Sequence, residues 1–122
     1  MVAPKKNIIK EKSFNFAFRI FNLQRELIEK KEFEASKQLF RCGTSIGANV
    51  AEAVQAQSKR DFLHKMSLAL KEASETEYWL RLLHKAQFIS NAQYDSFLKE
   101  IESILKILVA IIKTTKKRMG KS

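Results

Sequence analysis

After Pro4 the chain contains no further proline, and only three glycines, Gly43, Gly47 and Gly120, interrupt it. Proline and glycine end helices and shape the tight turns of sheets, because one lacks an amide hydrogen and the other leaves its backbone unrestricted. A chain this poor in both reads as long helices joined by short polar turns. Four segments carry apolar residues at three- and four-residue spacing. The first runs from about Phe14 to Lys30 and the second from about Glu34 to Gln57. The third follows Ser58 and ends near Ala86, and the fourth follows Ser90 and ends near Arg118. Ser90 with Gln93 forms a capping box, and Ser58 with Asp61 its shorter-armed version. Short connections make sequential helices antiparallel. The expected fold is therefore all-α, an antiparallel up-down-up-down four-helix bundle over residues 13–118. A basic tail at 1–12 and another at 119–122 flank it. A chain of 122 residues is enough for one domain whose core needs no disulfide or metal.

The fourth segment has a single core stripe: Tyr94, Phe97, Leu98, Ile101, Ile104, Leu105, Leu108, Ile111 and Ile112. The third has one in Phe62, Met66, Ala69, Ala73, Leu80 and Leu83. It has a second, on a different side, in Leu68, Glu72, Glu75, Trp79, Leu82 and Ala86. Apolar residues of the first, from Phe14 to Ile28, cover roughly 200° of its circumference, about twice what a surface helix buries. A monomeric bundle has no place for this surplus, and exposed apolar strips mark interfaces. The sequence thus predicts a homo-oligomer with Phe16, Ile20, Leu68, Trp79 and Leu82 at the contact.

The residues do not assemble a catalytic or metal site, so a non-enzyme without cofactors is expected. His64 and His84 fall on one helix, roughly 30 Å apart at ~1.5 Å per residue. Asp61 and His64 have the spacing of a carboxylate-x-x-His pair, but bundle di-metal sites need a second copy, which is missing. Cys42 is the lone cysteine and reads as a small buried hydrophobe. Gly43-x-x-x-Gly47 makes no phosphate loop and suits close helix contact. Asn49 and Glu52 stand in a stretch of small apolar residues, which predicts a structural polar network inside the bundle. The longest apolar run, Ile107 to Ile112, is far short of the ~18 residues of a membrane span. That run, the single cysteine and the lack of a signal-peptide pattern point to a cytoplasmic protein that does not engage membranes.

The formal charge is +10, which favours a polyanionic partner. Lys5, Lys6, Lys10 and Lys12 against Glu11 give +3, and Lys113, Lys116, Lys117, Arg118 and Lys121 give +5. An up-down topology puts both termini at one pole together with Lys59 and Arg60. The opposite pole mixes Glu29, Lys30, Lys31, Glu32 and Glu34 with Lys85. The predicted nucleic-acid site is thus Lys59, Arg60, Lys113, Lys116, Lys117, Arg118 and Lys121, holding RNA or DNA through its phosphates. No aromatic residue interleaves with these clusters, so base stacking is not expected. The alternative is a protein-interaction scaffold whose basic pole docks an acidic protein partner.

The stretch Leu39 to Phe62 resembles the signature of bacterial four-helix-bundle proteins known as 23S rRNA intervening-sequence proteins. Arg41, Ser45, Ile46, Asn49, Val50, Ala51, Glu52, Ser58, Lys59 and Phe62 carry the likeness, and Leu70 to Leu80 is also similar. Where the family often has glycine, this chain has Ala53, which predicts a straighter, longer second helix. The resemblance implies an up-down bundle assembled as a ring-shaped pentamer. It also implies a distant likeness to accessory proteins of diversity-generating retroelements, which bind nucleic acid and a reverse transcriptase. By analogy with those, this chain would be a self-associating accessory protein, and its alternative acidic partner a reverse transcriptase.

Overall fold

The computed structural model describes residues 4–120. It contains four helices, α1 (Pro4–Glu29), α2 (Glu34–Val54), α3 (Lys59–Lys85) and α4 (Asn91–Gly120). Each packs on its chain neighbours, α4 closes on α1, and the diagonal pairs do not meet. The result is the all-α four-helix bundle that the periodicity predicts. Among the described residues no helix is long and apolar enough to cross a membrane.

Two boundaries differ from the sequence reading. α1 starts at Pro4 rather than Phe14, so the segment expected as a basic tail is helical from that residue. Proline suits a first helical turn, where its missing amide hydrogen would have no partner anyway. The physical reason for the extension is Ile9, fully buried and in register with Phe16, Ile20 and Leu27. α2 ends at Val54, short of Gln57, despite Ala53. Ser58 must be extended (φ −145°, ψ 161°) for its hydroxyl to accept from the Asp61 amide, so the chain leaves helix beforehand. The amides of Gln55 and Ala56 close the end with tight bonds to Glu52 and Ala53.

The two turns at the opposite pole share one design. Lys31 and Gln87 adopt left-handed backbone, φ 63° and 68°. In each turn, that residue's amide and the next one bond back to helix carbonyls in the Schellman pattern. Lys31 bonds Ile28 and Glu32 bonds Leu27; Gln87 bonds His84 and Phe88 bonds Leu83. Lys30 Nζ ties the turns together through the Phe88 carbonyl at 2.8 Å. α4 begins with the full capping box: Ser90 N donates to Gln93 Oε1 and Gln93 N to Ser90 Oγ, both at 3.1 Å.

All six members of the first α3 stripe and six of the nine on α4 are buried, and Tyr94, Leu98 and Leu105 pack partly buried against the core. The buried Ser13, Ser36 and Thr76 donate their hydroxyls to backbone carbonyls one turn back. The two helix-interior glycines set the α1–α2 spacing. A Cβ on Gly43 would stand 3.0 Å from Ile20 Cγ1, and one on Gly47 3.2 Å from the Ser13 carbonyl oxygen.

Candidate nucleic-acid interface

The α2–α3 turn lies against the last turns of α4. Gln57, Ser58 and Lys59 face Thr115 and Arg118 across a cleft of about 320 Å³ floored by Phe62. Two cations far apart in sequence thus share one depression, as the up-down topology requires. Lys59, Arg60, Lys113, Lys116, Lys117 and Arg118 are all exposed. Among the described residues none of them pairs with a carboxylate. Lys121 lies outside the described residues. Such an arrangement offers a concentrated positive field that can neutralise phosphates without first breaking internal ion pairs.

The predicted contact for self-association is corrected in part. Phe16 and Ile20 are fully buried core residues, because their side of α1 is the one that faces the bundle. The apolar surplus of α1 lies elsewhere, on Phe14 (72% exposed), Phe18 (63%), Phe21 and Ile28. These fall within about 80° on the wheel at ~100° per residue. Phe21 packs its ring on Phe40 of α2, 5.9 Å between centroids. Phe14 borders a depression with Gly47 and Ala51. A largely apolar face, broken by Lys10, Glu11 and Arg25, therefore spans α1 and α2, and none of the described residues covers it. On α3, Leu82 is exposed beside Tyr78, whereas Leu68 is half-buried and Trp79 packs against the core.

The expectation that Asn49 and Glu52 form a buried network is also corrected. Asn49 is half-buried and donates to the carbonyl of Ser45 in its own helix at 2.9 Å. Glu52 is exposed and pairs with Lys65 of α3 at 2.8 Å. Of the small residues around them, Cys42, Gly43, Val50 and Ala53 are buried and Gly47 lies against α1, whereas Ala48 and Ala51 are exposed, and Asn49 and Glu52 fall on the edge of α2 that faces α3. The same edge holds Arg41, which pairs with Glu72 at 3.1 Å and also with Glu75. Trp79 Nε1 donates to Glu75 at 3.4 Å. The hydrogen bond from Arg41 to Glu75, helped by both carboxylates' charge, holds the guanidinium above its ordinary range. Glu52 raises Lys65 in the same way. Sequence reasoning missed the Arg41 cluster, although Glu72 and Glu75 interrupt the second apolar stripe of α3 where a partner cation was needed.

Neither histidine joins a reactive group. His84 stacks on Tyr94 at 4.2 Å and its Nε2 lies 2.7 Å from Asn91 Oδ1. Burial raises the Cys42 thiol, the opposite of what a nucleophile needs. Among the described residues no cluster of His, Cys, Asp and Glu could hold a metal ion.

Comparison with known proteins agrees with this architecture. The family described as 23S rRNA-intervening sequence protein matches residues 5–110. A 1.70 Å crystal structure from Bacteroides thetaiotaomicron, of a protein with unknown function from the S23 ribosomal protein family, superimposes with a TM-score of 0.88. It is 54% identical, and the match covers 89% of this chain and 98% of that one. No curated protein matches the chain.

Proposed function

The chain belongs to the 23S rRNA-intervening sequence protein family, and from that premise we propose that it is a self-associating, non-enzymatic accessory protein that binds nucleic acid through its basic pole. The observation that carries this reading is the shared cleft of Lys59 and Arg118, with Lys113, Lys116 and Lys117, which pair with no carboxylate among the described residues, on the same end of α4. Lysine and arginine clusters of this kind hold phosphates without regard to base identity, and their grip weakens as salt rises.

Self-association multiplies that grip. The apolar α1–α2 face and the Tyr78–Leu82 patch of α3 are different surfaces of one bundle, which favours a heterologous, head-to-tail contact between copies. If copies rotate about an axis parallel to the bundle, every basic pole faces the same side. Weak phosphate contacts then sum by avidity. Five copies is the number that the resemblance to the family implies.

The test compares wild type with a Lys59→Ala, Arg60→Ala, Lys116→Ala, Arg118→Ala variant on DNA and RNA duplexes across a salt series. The reading expects lower affinity and a shallower salt slope in the variant. Unchanged binding would place the site elsewhere, and no binding by wild type at low salt would favour the acidic-protein scaffold instead.

A further inference from the structure

Four lysines of α4, Lys99, Lys106, Lys113 and Lys117, fall within about 40° of one another at ~100° per residue. All four are exposed. At ~1.5 Å per residue they form a row roughly 27 Å long that begins at the basic pole and runs halfway along the bundle. The row lies on the outward side of α4, opposite the buried Ile101, Ile104 and Leu108, and the neighbouring α1 has its α4-facing edge fixed by Arg19. That side chain pairs with Glu100 and donates to Ser96 Oγ at 3.0 Å. Lys12, two turns before Arg19, shares this edge and is exposed. Between the two helices the surface residues are small and neutral: Asn15 and Asn22 on α1, Ser103 and Thr114 on α4.

Two carboxylates near this side have partners. Glu100 is held by Arg19, and Glu26 accepts from Gln93 Nε2 at 3.3 Å. Asp95 and Glu102, both exposed, lie in and beside the row at its end away from the pole, so the positive field strengthens toward the pole. The other sides differ. The α2–α3 seam carries Glu52, Glu72 and Glu75, and the α1–α2 face is largely apolar.

Resting on the reading above, we infer that the outward side of α4, with the α1 edge next to it, is the track along which a nucleic-acid duplex lies, its phosphodiester backbone crossing from the pole to Lys106 and Lys99. Lysine, asparagine, serine and threonine are the side chains that position phosphates. None of the exposed aromatic residues lies between α1 and α4, so bases have no stacking surface there. A row of ~27 Å matches about eight base pairs at 3.4 Å each.

The experiment uses three full-length variants with the wild type: a face variant (Lys12→Ala, Lys99→Ala, Lys106→Ala), a charge-matched control (Lys37→Ala, Lys71→Ala, Lys85→Ala) and the pole variant. Binding to DNA and RNA duplexes is followed across a salt series, with circular dichroism to confirm folding. The face variant should lower the duplex-DNA slope by roughly 2.7, three contacts at ~0.9 each, and weaken binding tenfold or more. The control should stay within about twofold of wild type. Equal losses in face and control variants would show a net-charge effect and overturn the proposal. An unaffected face variant beside a weakened pole variant would also overturn it, and leave the pole reading intact. Absence of wild-type binding would remove both.

Discussion

The guanidinium carbon of Arg19 stands 4.0 Å from the centroid of the Phe97 ring. The same group pairs with Glu100 and Ser96, while Phe97 meets Phe16 edge-on at 6.1 Å. α1 and α4 are the first and last elements, joined by no turn, and this cluster ties them together. Arg19→Ala should cost about 1–2 kcal/mol, combining a partly exposed cation–π contact and ion pair with lost packing. Arg19→Lys should recover part of it, since lysine keeps the charge but lacks the fork that reaches both partners. Denaturant midpoints measure this, and a wild-type midpoint for Arg19→Ala would remove the clamp.

The exposed phenylalanines predict a separation of assembly from folding. Phe14→Glu with Phe18→Glu should give a smaller species by light scattering while helical circular dichroism is kept. Phe16→Glu, two residues from either, should instead lose the fold, because a carboxylate there enters the core. A wild type already monomeric at micromolar concentration would contradict self-association.

The sequence revealed the bundle because its period and its caps agree: Ser58 and Ser90 sit where the structure needs them, and Gly43 and Gly47 mark a close approach of α1 and α2. It did not say which side of α1 was the core. Phe14, Phe16, Phe18, Ile20 and Phe21 surround the helix, and only the partners on α2 and α4 decide that Phe16 goes in and Phe14 stays out. The start at Pro4 was hidden because Ile8 and Ile9 are an isolated apolar pair among lysines, and only Ile9 is buried. Asn49 and Glu52 misled for a related reason. Small neighbours suggested burial, yet they leave these polar side chains on the seam, where Lys65 reaches Glu52.

From that seam follows a weak stability effect. Asn49→Ala and Glu52→Ala should unfold at midpoints close to wild type, since one removes a bond within a helix and the other an exposed pair. A large loss in thermal or denaturant unfolding would restore the buried-network view.

The left-handed residues make the reverse prediction. Gln87→Gly should stabilise by about 0.5 kcal/mol, as relief of ~1–2 kcal/mol of backbone strain is partly offset by glycine's greater entropy loss on folding. Lys31→Gly should act in the same direction, since its turn has the same backbone conformation and bond pattern. Destabilisation by Gln87→Gly, read from the same midpoints, would show that the glutamine side chain contributes more than its backbone costs.

Binding of nucleic acid by its phosphates at the basic pole is read from the salt dependence of wild-type binding to a DNA duplex. Log affinity should fall linearly with log salt, with a slope of several units built from roughly 0.9 per phosphate neutralised. It should differ little between duplexes of unrelated sequence. No binding at low salt, or an affinity indifferent to salt, would contradict it.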